Sequence, residues 1–189
     1  MNQPGERAPA PEPLRLAQDL ANTVDLEDAE EDAESDQLRT LDGLVAFAGA
    51  HGIHGLTFDA DDLADARELR EALRDACQAH TGTDVPAASA AALDRLLARA
   101  PLVLAVDTHG AATLRPAPGL TGAAALTARI AAGIATAVAD GTWARLKACE
   151  AHSCRWVYYD RSPAGRSRWC TMAICGSRAK MRAYRSRGT

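Results

Sequence analysis

The stretch WCTMAICGSRAKMRAYRSR, residues 169–187, decides how this chain is organised. Within it Cys170 and Cys175 have four residues between them, and the same spacing separates Cys149 and Cys154 upstream. Two thiolate pairs at this spacing can wrap one tetrahedral zinc ion, and four sulfurs close the shell, leaving no position for a reactive water. The metal is therefore expected to be one structural Zn2+ per chain, held by Cys149, Cys154, Cys170 and Cys175. His152 lies inside the first loop and could replace a cysteine, but it reads better as a solvated loop histidine. Two disulfides are the other alternative. The odd fifth cysteine, Cys77, argues against them, as does an N-terminus, MNQPGERAPAPEP, that lacks the apolar core of a secretory signal. The expected compartment is a reducing cytoplasm.

Around the cysteines, WARLKAC (143–149) and RWVYYD (155–160) read as strands, and Pro163 and Gly165 mark a turn. These features predict a hairpin between the two pairs. Gly176 and Ser177 can open a helix running to about Arg187, with Ser177 as its N-cap. Knuckle, hairpin and a thiolate pair at a helix N-terminus make a treble-clef-like zinc finger, in which the helix dipole favours negative sulfur. On the helix, Arg178, Arg182 and Arg185 share a face by their spacing, and Met181 and Tyr184 are placed to pack on the hairpin. Lys180 and Arg187 point the other way, while Arg161, Arg166 and Arg168 add loop charge. A solvated basic face is the plain reading of such a helix. The density of arginine favours nucleic acid instead, with Arg166, Arg168, Arg178, Lys180, Arg182 and Arg185 as candidate DNA-binding residues.

Upstream the composition changes. Residues 142–189 carry 11 Lys and Arg against Glu150 and Asp160, a formal +9, whereas residues 1–141 carry 10 against 23 acidic residues, a formal −13. Apolar residues make up 47% of the chain but aromatics only 4%, so much of the apolar content is alanine, which favours helix. Residues 1–13 are read as a disordered leader, 14–141 as a helical domain and 142–189 as the finger. Helices are predicted over Leu14–Ala21, Leu41–Ala50, Asp61–His80, Ala88–Ala100 and Thr121–Asp140. LVLAV (102–106) and AATLR (111–115) read as a small β-hairpin. LEDAEEDAESD (26–36) reads as a solvated acidic loop or a helix that a partner would fix.

The helical part offers few chemical signals. Asn22 and Thr23 can cap a helix end or line a polar spot for a small-molecule effector. His51 and His54 are better read as surface loop than as a metal pair, and Cys77 as core. There is no phosphate-cradling glycine loop, nucleophile elbow or HExxH, so enzyme activity is not expected. No run of about 18 uncharged apolar residues suggests a membrane span.

The run from Cys149-x4-Cys154 through Arg168-Trp169-Cys170-Thr171-Met172 to Cys175-Gly176-Ser177-Arg178 resembles the CGNR zinc finger. The alanine-rich helices with Leu16, Leu20, Ala21, Asn22 and Thr23 resemble the ABATE domain that usually precedes it. The resemblance implies a bacterial, stress-induced transcription regulator that binds DNA. Ser177 stands where that family has asparagine; both residues cap helices well. The expectation is a mainly α protein with a small β-hairpin and a C-terminal four-cysteine finger, whose N-terminal part senses or dimerises. The alternatives are a zinc-knuckle adaptor for an acidic protein, and a ligand-binding N-terminal domain with an accessory finger.

Overall fold

The computed structural model describes residues 7–29 and 35–186. Six longer helices and two short hairpins make up most of it: α1 (Glu12–Ala21), the four-residue α2 (Leu26–Ala29), α3 (Leu41–Ala50), α4 (Ala60–Ala79), α5 (Ala87–Ala98), β1 (Leu102–Val106), β2 (Ala112–Pro116), α6 (Gly122–Ala139), β3 (Leu146–Ala148), β4 (Val157–Tyr159) and α7 (Ser177–Arg185). The starts have chemical causes. Asp59 caps α4 in a reciprocal capping box with Asp62, Thr40 caps α3 through its hydroxyl, and prolines open α1 and α5.

The core lies where α1, α4 and α6 meet. Leu14, Leu20, Leu69, Leu73, Leu126 and Ile130 are buried there with Leu44 and Phe47 of α3. Alanine along α6 lets the backbones approach closely. At Gly133 a Cβ atom would stand 1.8 Å from the Pro13 carbonyl oxygen, so only glycine fits. Among the described residues α6 alone is long and apolar enough to span a membrane, and it is the centre of this core.

The helical part and the finger share that core. The β3–β4 hairpin turns Leu146, Ala148, Val157 and Tyr159 toward the helices, while Cys149, Trp156 and Tyr158 face the finger's own cluster. The guanidinium of Arg74, fully buried on α4, donates to the carbonyls of Arg155 (3.1 Å) and Ala21. His80 at the end of α4 meets the Leu146 carbonyl at 2.6 Å.

Several expectations are corrected here. The strands of the finger's hairpin bracket the first cysteine pair rather than lying between the two pairs. The knuckle itself is the turn, closed by Cys149 N–H to the Trp156 carbonyl and by Arg155 at φ +47°. Residues 143–145 form a 3-10 turn. Ser177 does not cap the last helix. α7 follows directly on a wide turn over Met172–Gly176 and has no side-chain cap of its own; Thr171 caps that turn, accepting from Ile174 N–H, and the Ser177 hydroxyl donates to the Met172 carbonyl. The expected leader is partly tied down. α1 starts at Glu12, and Arg7 lies 4.6 Å over the Tyr158 ring, while residues 1–6 are outside the described residues. Of the acidic stretch, residues 26–29 form α2 and 30–34 are not described.

Candidate metal centre and nucleic-acid interface

Cys149 directly follows β3, Cys154 closes the knuckle, Cys170 follows the 161–169 loop and Cys175 sits in the wide turn before α7. All four are buried, and their sulfurs lie within 4.8 Å of one another. The Cys154–Cys170 and Cys170–Cys175 distances are 3.7 and 3.6 Å. Zinc–sulfur bonds of about 2.3 Å in a tetrahedron put neighbouring sulfurs about 3.8 Å apart, so the cluster has the size the ion requires. Four soft thiolates and no water position fit one structural zinc ion.

The surroundings support negative charge on sulfur. Without metal, Cys149 is held far below the usual thiol range, by hydrogen bonds from the Cys154 and Cys170 thiols first and by the N–H groups of Cys170 and Ala151 as well. Cys154 and Cys170 are pushed up, first because their protons are committed to Cys149. Burial, the largest cause, raises Cys175. Metal binding must expel the protons that the thiols still hold. Cys77 is separate: it is buried in the helical core, where desolvation pushes its thiol up to about 12.

The loop between the pairs is organised by a buried carboxylate that the sequence did not flag. Asp160 accepts from Ser162 N–H (3.0 Å), from Ser167 N–H and hydroxyl (both 2.9 Å) and from Lys147 Nζ at 3.1 Å. Burial opposes its ionisation, but these donors prevail and hold it well below the usual carboxylate range.

The candidate DNA-binding residues divide into two groups. Arg178, Arg182 and Arg185 come together with Ala173, Ile174, Ser177 and Met181 along a shallow groove of about 520 Å³ on α7. Lys180 is exposed elsewhere on the same helix and Arg166 in the loop. Arg168 is drawn away: both its Nε and Nη2 donate to the Glu150 carboxylate, and it lies over the Trp169 ring. Arg178 also has a partner, the carboxylate of Glu27 on α2 at 2.5 Å. Met181 and Tyr184 do not pack on the hairpin. They are 54% and 78% exposed, because the wide turn directs α7 outward.

Asn22 and Thr23 line no described pocket. Asn22 Nδ2 donates to the Val157 carbonyl (2.7 Å), and its Oδ1 accepts from Val157 N–H (2.8 Å); the Thr23 hydroxyl donates to Leu20. Gln18, which shows no chemical signal in the sequence, donates a second bond to the Val157 carbonyl at 3.2 Å.

A helical domain locked to a closed four-cysteine zinc finger defines a zinc-binding protein of the regulator class. Residues 14–141 match the ABATE family, described as "Putative stress-induced transcription regulator", and residues 145–188 match the CGNR zinc finger. The chain belongs to the ABATE family and carries a CGNR zinc finger at its C-terminal end. Both are families of regulators and zinc fingers rather than enzymes. No curated protein matches the chain.

Proposed function

We propose that this protein is a non-enzymatic, cytoplasmic transcription regulator that binds duplex DNA through α7 and the adjoining loop. The observation that carries this is the arginine groove of α7, projecting from the molecule with no carboxylate on the helix itself. Zinc fixes the wide turn from which the helix leaves, so the charges meet the phosphate backbone as a preformed array. Arg182, Arg185 and Lys180 supply the first contacts, and Arg178 joins them by exchanging Glu27 for phosphate. A single short helix gives modest specificity, so two copies would act at one site.

Fluorescence anisotropy of labelled duplex DNA with zinc-loaded protein at two salt concentrations tests this. Micromolar or tighter binding is expected, weakening steeply with salt, and Arg182→Ala with Arg185→Ala should abolish it. No binding at low salt would reject the reading.

One observation favours a second reading. Met172, Ile174, Met181 and Tyr184 are exposed beside the arginines, a mixed apolar and basic surface suited to an acidic protein. Pull-downs with and without nuclease separate the two: capture that survives nuclease treatment favours the adaptor.

A further inference from the structure

We propose that α7 lies in the major groove of duplex DNA and that Met181, with Ile174 from the wide turn before it, packs on thymine methyl groups. The inference rests on the DNA-binding reading and adds what the helix recognises.

The helix is free to enter a groove, since none of its 9 residues is buried. At a rise of 1.5 Å per residue it is about 13 Å long, the span of about four base pairs. The major groove, about 12 Å wide, accepts a single helix. Residues 161–189 contain no Asp or Glu, so the helix and the loop before it carry no charge that repels phosphate.

The order of side chains round the helix sets its orientation. Successive residues turn by about 100°. Ser177, Met181 and Tyr184 therefore form one row, and Ile174 borders the same shallow groove as Ser177 and Met181. Arg178, Arg182 and Arg185 flank that row on one side, and Lys180 flanks it on the other. A helix in the major groove meets a matching pattern, with base edges beneath its middle and a phosphate strand along each wall. The cations are placed for the walls, which leaves the uncharged row for the floor. Ile174 and Met181, 44% and 54% exposed, gain nothing from phosphate.

The chemistry of the floor selects the base. Neither Ile174 nor Met181 can donate a hydrogen bond. Of the groups displayed in the major groove, the thymine methyl is the one an apolar side chain favours. Ser177 supports the same base pair. Its hydroxyl proton is committed to the Met172 carbonyl at 3.0 Å, so toward DNA the oxygen can only accept. The adenine amino group opposite thymine is a donor for it, whereas cytosine offers a like donor without the methyl.

The test is fluorescence anisotropy of the zinc-loaded full chain with four short duplexes of equal length and charge. These are alternating A·T, the same with deoxyuridine for thymidine, alternating G·C, and the same with methylated cytosine. A·T should bind about fourfold more tightly than A·U, the effect of one buried methyl, and methylated G·C more tightly than plain G·C. Met181→Ala with Ile174→Ala should remove both differences while leaving the salt dependence unchanged, and Met181→Leu should keep them. Arg182→Ala, in contrast, should weaken all four duplexes alike. Binding to all four with no methyl preference would overturn this inference and leave DNA binding standing, whereas binding to none would reject both. A methyl preference that survives in the double variant would overturn the assignment to these two side chains.

Discussion

Asn22 donates and accepts against one residue, Val157, that lies 135 positions further along the chain. Its amide mimics an extra strand beside β4 and leaves no surface for a ligand. Asn22→Ala strands the buried Val157 N–H, while the Val157 carbonyl keeps its bond from Gln18, at a cost of about 1–3 kcal/mol. Chemical denaturation monitored by circular dichroism should show that loss with zinc retained at one per chain. The cysteines were legible in the sequence because zinc chemistry dictates residue type and spacing within a short stretch. Asn22, Arg74 and Asp160 were not, because their partners are distant backbone groups that no local pattern records. Asn22 does end α1, as the sequence suggests, but its side chain is spent on Val157.

At the scale of elements, α6 and α7 represent opposite cases. α6 carries a 3.6-residue apolar stripe, and its sequence places it to within a residue at each end. Gly133 is its hidden requirement, since the close approach to Pro13 belongs to tertiary packing. Gly133→Ala should overpack that contact and cost about 1–3 kcal/mol, read as a lower denaturation midpoint with an unchanged slope. The position of α7 is legible in the sequence, but its uncapped start and its packing are not. A wide turn starting at Thr171 aims it away from the hairpin, and turns of that kind leave little trace in a sequence. Arg178 meets Glu27, a carboxylate from the acidic segment, across this projecting helix. Exposed pairs of this sort are worth about 0–1 kcal/mol, so Glu27→Gln should tighten DNA binding by up to about fivefold. Anisotropy titration checks this; weaker binding in that variant would mean Glu27 assists rather than competes.

For the whole molecule, the shared core changes what metal removal should do. A finger of about 45 residues standing alone is expected to unfold without zinc. Here Leu146, Ala148, Val157 and Tyr159 belong to the helical core, so chelation should release the knuckle, the 161–169 loop and α7 while the helical domain and β3–β4 persist. Amide exchange before and after chelation would show protection lost at Cys149–Cys154 and α7 and kept at Leu126 and Ile130. The charge split was visible in the sequence. The merging of the parts was not, because it depends on which face each short strand turns to the helices. Acid should weaken the whole assembly in a defined order. Burial lowers the folded-state pKa of His51 and His80, so the unfolded chain takes up those protons first. Their contribution is complete above pH ~6.5 and is lost as pH falls below it. Asp160, also depressed, adds its own loss below pH ~4. With zinc in excess, the melting temperature should be level from about pH 8 to 7 and fall as pH drops below about 6.5; a constant value would contradict the burial of the two histidines.

The central physical claim is that four buried thiolates hold one metal ion at the seam between helical core and basic helix. Elemental analysis of purified, never-chelated protein tests it most directly, paired with intact mass to count free thiols. One zinc per chain is predicted, falling to near none in Cys175→Ser, with all five cysteines of the natural chain reduced. A folded protein carrying no stoichiometric zinc, or a mass lowered by disulfides between the pairs, would contradict it.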